Sequence, residues 1–375
     1  MKRIVRILLV LLIAILSLAV TFVLTLQAFE YTPAETTTLT LETKDGATYA
    51  KVALDETIRI LTFNIGYASL SHTEDFAMDG GTKGRMDSLE LVEANLQGIQ
   101  NLMLTQSADI YLIQEVDEGS HRSYQTLQYT MFKNAFPDHN AVLGYNFRVL
   151  FVPFPLSFSQ MMGKVNSGIV SLIRYEVDQA VRIQLPGQFD WPLRLANLKR
   201  CLVVSRLPVE GSTKELVVIN AHLSAYDNGE MRALETAKLK EILEAEAALG
   251  NYVVVGGDFN QTFPGAYTIA QTEQGPVTNY LYELKNPSLW EAFGLDGTWF
   301  LENGFQFGHH PDFAIPTCRL LHQPYDRVDR TNNQYYYIDG FLVGPGITIE
   351  SVEVLDLDFE HSDHNPVVMS FILNP

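Results

Sequence analysis

From Ile7 to Leu26 the chain runs for twenty residues without a charge, relieved only by Ser17, Thr21 and Thr25. A run of this kind cannot be spread over the surface of a body in water. At about 1.5 Å of rise per residue it makes a helix as long as the roughly 30 Å hydrocarbon core of a bilayer. Lys2, Arg3 and Arg6 stand just before it, which predicts a cytoplasmic N-terminus and an exported remainder. Residues 1–28 are therefore a single-pass anchor in the cell membrane or, alternatively, a signal peptide whose removal would leave a secreted protein. The apolar region of a signal peptide is usually shorter, and a cut after Ala28 would put the bulky Leu26 at the third position before it, which favours the anchor. Either way the working part is extracytoplasmic.

That part must fold in water. The sequence is 47% hydrophobic and 19% charged, with ordinary glycine and proline and no fixed-period repeat, which excludes disordered, collagen-like and solenoid chains. Its 26 Lys+Arg against 44 Asp+Glu give a formal charge of −18. Three of the cations are at the extreme N-terminus, so the exported part is more acidic still. That argues against long, nonspecific tracking along a polyanion and leaves room for a local cationic site or a metal-bridged phosphate. Cys201 and Cys318 cannot build a disulfide framework or a cysteine zinc site; one disulfide or two buried thiols remain open. Residues 29–57, Thr-rich with a turn-like Lys44-Asp45-Gly46, read as a polar spacer running into an edge hairpin, and 58–375 as the working domain. The one Asn-x-Thr sequon, Asn260-Gln261-Thr262, falls inside the strongest motif below. A glycan there would block the site, so export in a bacterial envelope fits better.

Residues 58–63 alternate like a strand, and 88–104 carry Leu89, Val92, Leu96, Ile99 and Met103 at helical spacing. Further strands are expected at 110–113, 168–173, 202–204, 216–219, 253–255, 336–338 with 341–343, and 367–372. A helix is expected over about 230–248, with Met231, Leu234, Leu239, Ile242 and Leu243 in one apolar arc. Strands outnumber helices and the links between them are short, which suggests two packed sheets with helices outside.

Each of these apolar runs ends in a polar group that chemistry can use. Asn64 follows Phe63, Gln114 and Glu115 follow Ile113, and Asn220 and His222 follow Ile219. Asp258 and Asn260 follow the 253–257 run, Asp339 follows Ile338, and His361-Ser362-Asp363-His364-Asn365 precedes the last strand. Any one of them alone reads as a turn former or a hydrogen-bonded surface residue. Together, on neighbouring strands, they would form the floor of one pocket.

In order, TFNI (62–65), QEV (114–116), NAHL (220–223), GGDFN (256–260), YIDGFLV (337–343) and SDHNPV (362–367) resemble the endonuclease/exonuclease/phosphatase superfamily, which includes deoxyribonuclease-I-like nucleases, neutral sphingomyelinases and inositol-polyphosphate 5-phosphatases. The resemblance runs from about residue 58 to 373. It implies an α/β (α+β) fold, a four-layer α/β/β/α sandwich of two mixed sheets, here with an N-terminal transmembrane helix. It also implies hydrolysis of a phosphate ester assisted by a divalent cation, magnesium by preference, with manganese or another divalent ion as a substitute. By the same resemblance Glu115 is the metal ligand, with Asn64 beside it and Asp363 in support. His364 paired to Asp339 is the general base or a phosphate-binding imidazole, and His222 donates to the leaving oxygen or to phosphate. Apurinic endonucleases lack a histidine at that place, so the chain departs from that branch. Asp258 and Asn260 orient the water and hold a phosphate oxygen, and Asn64 and Arg319 are further phosphate contacts. Asn166-Ser167-Gly168 and Lys199-Arg200 are weaker candidates for the same role. His309, His310 and His322 lack the companions of a zinc site and read as loop residues.

The substrate has to come from context. A tethered outward domain stays near the bilayer, which suits a lipid headgroup or a small phosphodiester. Phe147, Phe151, Phe154 and Phe158 lie among Pro153 and Pro155 and could dip into the interface or form an interior strand and packed loop. An exported nuclease acting on nucleic acid is the rival, although no cluster of basic residues lines a groove. A catalytically dead binding module would have lost part of the constellation, and none is missing. No protein partner is expected.

Overall fold

A computed structural model describes residues 2–44, 46–272, 275–286 and 288–375. The turn expected at Lys44-Asp45-Gly46 falls on Asp45, which lies outside the described residues. Five α-helices are present among them: α1 (Lys2–Ala28), α2 (Leu89–Gln106), α3 (Gln128–Ala135), α4 (Glu230–Leu249) and α5 (Thr298–Glu302). The strands of the first half are β1 (Thr36–Thr38), β2 (Ile58–Asn64), β3 (Ile110–Asp117), β4 (Asn140–Val152), β5 (Gly163–Ile173) and β6 (Gln179–Gln184). Those of the second are β7 (Cys201–Pro208), β8 (Glu215–His222), β9 (Tyr252–Asp258), β10 (Tyr267–Thr272), β11 (Gly275–Tyr280), β12 (Gln306–Gly308), β13 (Cys318–Arg319), β14 (Tyr335–Tyr336), β15 (Asp339–Val343), β16 (Ile347–Val354) and β17 (Val367–Leu373).

Two sheets carry the fold, in the orders β16-β17-β2-β3-β5-β4 and β1-β6-β7-β8-β9-β15-β12. Each contains one parallel pair, β2 with β3 and β8 with β9, and in each the crossover between the pair carries a helix, α2 or α4. The central strands are buried on both faces, so they read as continuous apolar runs. Ile60 and Leu112 face the other sheet and meet Leu202, Val204, Val218, Val254 and Phe341. Leu61, Phe63 and Ile113 point the opposite way, onto Val92, Leu96, Ile99 and Met103 of α2 and Phe132 of α3. Leu239 and Leu243 of α4 cover the far face of the second sheet. This is the four-layer sandwich that the resemblance implies.

Four local expectations are modified. The hairpin expected within 29–57 contributes one edge strand, β1, paired with β6 rather than with a second strand of its own. The strand expected over 336–338 breaks: Tyr335–Tyr336 pair with β13, and the sheet strand starts at Asp339. On α4, Leu234 is exposed, and the buried face starts with Arg232 and Glu235. Both have internal partners: Arg232 Nε donates to Asp227 Oδ1 at 2.5 Å, and Glu235 accepts from the Ser224 amide and hydroxyl at 2.8 and 2.7 Å. The aromatic stretch divides at Val152. Phe147 is buried in β4, while in the loop beyond it Leu156 is 89% and Phe158 99% exposed.

Candidate active site

The C-terminal ends of β2, β3, β8 and β9 lie together, because in each parallel pair the strands point the same way and stay in register. Asn64 stands opposite Gln114 and His222 opposite Asp258, and antiparallel β15 adds Asp339 opposite Asp258. Gln114 Nε2 donates to Asn220 Oδ1 across the gap between the sheets at 2.8 Å, and Asn220 Nδ2 donates to Val170 O at 2.9 Å. These buried amides tie the sheets together directly beneath the site; they are not in it.

Local backbone geometry aims the rest. Glu115 lies where the β3–β5 register shifts between Ile113 and Val116, with φ +56°; the irregularity turns its side chain toward the site instead of the sheet face. At Gly257 a Cβ would lie 1.9 Å from Ala221 O, so only glycine lets β9 run this close to β8 and deliver Asp258 beside His222. Gly66 fills the same need after β2, since a Cβ there would meet Asp363 Oδ1 at 2.9 Å.

Asn64 Nδ2 bridges two carboxylates, 3.0 Å from Asp258 Oδ2 and 3.5 Å from Glu115 Oε1, while its Oδ1 accepts from the Gly66 amide at 3.0 Å. His222 Nε2 lies 3.5 Å from Asp258 Oδ2 and 3.8 Å from Glu115 Oε1. His364 Nδ1 donates to Asp339 Oδ2 at 2.9 Å, which leaves Nε2 facing Asp258 and Asp363, each at 3.9 Å. Asp258 Oδ1 accepts from the Asn260 amide at 2.9 Å, and Asn260 Nδ2 donates to Leu223 O, so Asn260 braces the turn under Asp258. Ser362 Oγ donates to Asn64 O at 2.8 Å and fixes the segment that carries Asp363 and His364.

The two histidines differ in charge. Burial alone would push His364 down, but the charge and hydrogen bond of Asp339, with Cys318 and Asp363 adding to them, outweigh it and hold the imidazole well above its ordinary range, as a cation. Burial, with Arg200 and His364 adding to it, holds His222 well below that range, as a neutral ring. Burial raises Asp258, and Asp339 reinforces the shift. Burial also raises Glu115, against Arg122, His364 and Arg200. Asp363 is pushed up to about 7 by burial, with Glu115 adding to it. Hard oxygen donors gathered in one buried place and all displaced toward protonation suit a divalent cation, which would relieve that repulsion. Among the described residues, Asp258, Asp339 and His364, and likewise Cys318, Asp363 and His364, bring three ligand-type atoms within 4.8 Å of one another.

These groups floor a cavity of about 700 Å³ lined by Asn64, Glu115, His222, Asp258, Asn260, Asp363 and His364. Asp339 stands behind His364. Arg319 also reaches the cavity; its Nη1 and Nη2 donate to the carbonyls of Ser71, Glu74 and Gln323, while its Nε is a buried donor with no partner. Asn166 likewise bonds backbone, donating to Glu118 O at 2.7 Å. Lys199 is paired with Glu30. Among the histidines set aside as loop residues, His309 stacks on Phe313. Three groups missed or underweighted in the sequence line the cavity with a buried donor that has no partner: Tyr67 Oη, Asn146 Nδ2 and Arg200 Nη1. Arg122 also lines it, paired with Asp117 and lying over the Tyr67 ring. Tyr67 stands two residues after TFNI and Asn146 is an amide inside an aromatic run; those were the available signals.

Comparison with known proteins agrees with this geometry. The endonuclease/exonuclease/phosphatase family matches over residues 61–364. An endonuclease/exonuclease/phosphatase from Beutenbergia cavernae shares 18% identity at a TM-score of 0.54, over 85% of this chain and 72% of that one. One from Bacteroides vulgatus shares 16% at 0.53, over 85% and 100%. A Bacteroides thetaiotaomicron mannosyl-6-phosphatase shares 12% at 0.51, over 84% and 100%. No protein with a curated description matches the sequence. At these identities the structural likeness establishes the fold, and the family match establishes the chemistry. The chain belongs to the endonuclease/exonuclease/phosphatase family of metal-dependent phosphoester hydrolases.

Proposed function

We propose that the protein hydrolyses a phosphate ester at the outer face of the cell membrane, with water attacking phosphorus in line and a lipid headgroup or small phosphodiester as the substrate. The observation that carries this reading is the pairing of a cationic and a neutral histidine on either side of Asp258 at the floor of one cavity. Glu115, with Asp363 in support, would hold the divalent cation, magnesium in the first instance; when bound it supplies charge that stabilises the phosphoryl oxygens. Asn64 steadies the carboxylates of Glu115 and Asp258 through its Nδ2, and its oxygen, which accepts from the Gly66 amide, keeps a second lone pair for the cation.

Asp258, raised by burial and held by the Asn260 amide and Asn64, would orient the attacking water and accept its proton. His364 is already protonated, so it serves the phosphoryl oxygens as a cationic donor and does not take the proton. His222, neutral, can present its Nε2 proton to a second phosphoryl oxygen. Nucleic acid as substrate finds less support: Arg122 is paired with Asp117, and among the described cavity residues only Arg200 and Arg319, through Nη1 and Nε, are cations with a donor lacking a partner.

The test is turnover by the full chain in detergent with magnesium and with EDTA. The panel is p-nitrophenyl phosphate, bis-p-nitrophenyl phosphate, plasmid DNA and phospholipid and sphingomyelin vesicles. Metal-dependent turnover of a lipid or small ester is expected; turnover of plasmid alone would replace this reading by a nuclease.

A further inference from the structure

The cavity does not end at its polar floor. Its outer wall is apolar and is made of Phe22, Val23 and Leu26 of α1 together with Phe154, Leu156 and Leu193. The twenty uncharged residues that can cross a bilayer end at Leu26, so the wall of the mouth is the last turn and a half of the membrane span itself. At about 1.5 Å per residue, Phe22 lies roughly 6 Å before the end of that span. The mouth of the cavity therefore stands at the depth of the bilayer interface whenever α1 is in a membrane.

The helix is also fastened to the body. Just past the span, Gln27 Oε1 accepts from Trp191 Nε1 at 3.1 Å. Glu30, with only 6% of its side chain exposed, pairs with Lys199 at 3.0 Å and Arg194 at 3.2 Å. Tyr31 lies beneath the guanidinium of Arg148, at 5.3 Å. Inside the span, Phe22 makes an edge contact with Phe151 at 6.1 Å. A loose tether would show none of these. Around the same mouth, Leu156, Phe158, Trp191 and Leu193 are 89, 99, 56 and 63% exposed. Large apolar side chains held in water at this density mark a surface that meets something apolar, and tryptophan beside a span is characteristic of the interface.

We propose that this apolar vestibule is an acyl-chain subsite, completed by α1, through which a membrane phospholipid presents its phosphoester to the site without leaving the bilayer. α1 is then one wall of the binding site as well as an anchor. The proposal rests on the phosphoester-hydrolase reading and adds the part of the substrate that is not cleaved.

Full-length protein would be reconstituted in phosphatidylcholine vesicles containing a phospholipid with a diazirine in its acyl chain, irradiated, digested and mapped. Labelling within residues 22–26 and 151–158 is expected; labelling confined to α1 upstream of Phe22 would overturn the subsite. In parallel, Phe158→Ser with Leu156→Ser, and separately Glu30→Gln, would be assayed on vesicle lipid and on bis-p-nitrophenyl phosphate. The ratio of lipid to soluble turnover should fall about tenfold for the loop pair and severalfold for the latch variant. An unchanged ratio would overturn the proposal, and so would a mature N-terminus at residue 29, which removes α1. Absence of metal-dependent turnover on both substrates would instead count against the hydrolase reading, and the labelling arm would still report on the vestibule.

Discussion

At the scale of single residues, the chemistry depends on a division of charge between two histidines that look alike in the sequence. His364 is a cation because Asp339 lies 2.9 Å from its Nδ1, and His222 is neutral because burial, with Arg200 and His364 adding to it, disfavours its charged form, while its Nδ1 has no partner. Replacing His364 by alanine should lower kcat by about 10²–10⁴-fold. Asp339→Asn keeps the hydrogen bond and removes the charge, so the imidazole loses what holds it up and its pKa falls. The alkaline limb of the kcat/KM profile, where the imidazolium loses its proton, should then move to lower pH. A pH profile that drops uniformly without moving would show that Asp339 acts only on geometry. Asn64, Glu115, His222 and Asp258 were legible in the sequence because each ends an apolar run, Asp339 because it follows one, and His364 because it stands in a polar cluster just before the last strand. Asn146 and Tyr67 were not. A polar group among aromatics reads as core until β4 is placed beside residues 199–200, where the Lys199 amide donates to Asn146 O.

At the scale of elements, β2, β3, β8 and β9 follow from hydrophobicity alone, since strands covered on both faces read as continuous apolar runs. α4 does not. Its apolar arc ignores Arg232 and Glu235, which are buried because Asp227 and Ser224 meet them; such partners come from outside the helix and leave no periodic trace. Glu235 has a measurable consequence. Burial pushes its carboxyl up from an ordinary 4.5 to about 7, against the two Ser224 bonds. A folded-state acid with a raised pKa binds more protons than its unfolded counterpart between those values. Its contribution is therefore fully present below about pH 4.5 and is lost as pH rises through 7. The loss is roughly 3 kcal/mol at most. Glu235→Gln should flatten the decline in Tm between pH 5 and pH 8 relative to wild type, as read by calorimetry at fixed magnesium. An unaltered decline would assign the pH dependence to the acids of the active site.

At the scale of the whole molecule, folding brings like charges to the one seam where the two sheets meet. Glu115 and Asp363 come from the six-stranded side and Asp258 from the seven-stranded side, and all three are displaced toward protonation. Without a cation, that seam opposes the packing that the Gln114–Asn220 bond and the apolar layers favour. A divalent ion held there couples the sheets, so magnesium should act on global stability and not only on turnover. At a concentration a hundredfold above its dissociation constant the gain is about 2.7 kcal/mol, which for a chain of this size is a rise in Tm of several degrees. The rise should be larger at pH 8 than at pH 5.5, because at the lower pH the ion must displace protons already held by the carboxylates. Glu115→Gln should raise the Tm measured in EDTA, by removing one of the repelling charges, and should abolish most of the response to magnesium. A variant that still gains the wild-type increment would place the ion elsewhere on the chain and would remove Glu115 from its proposed role.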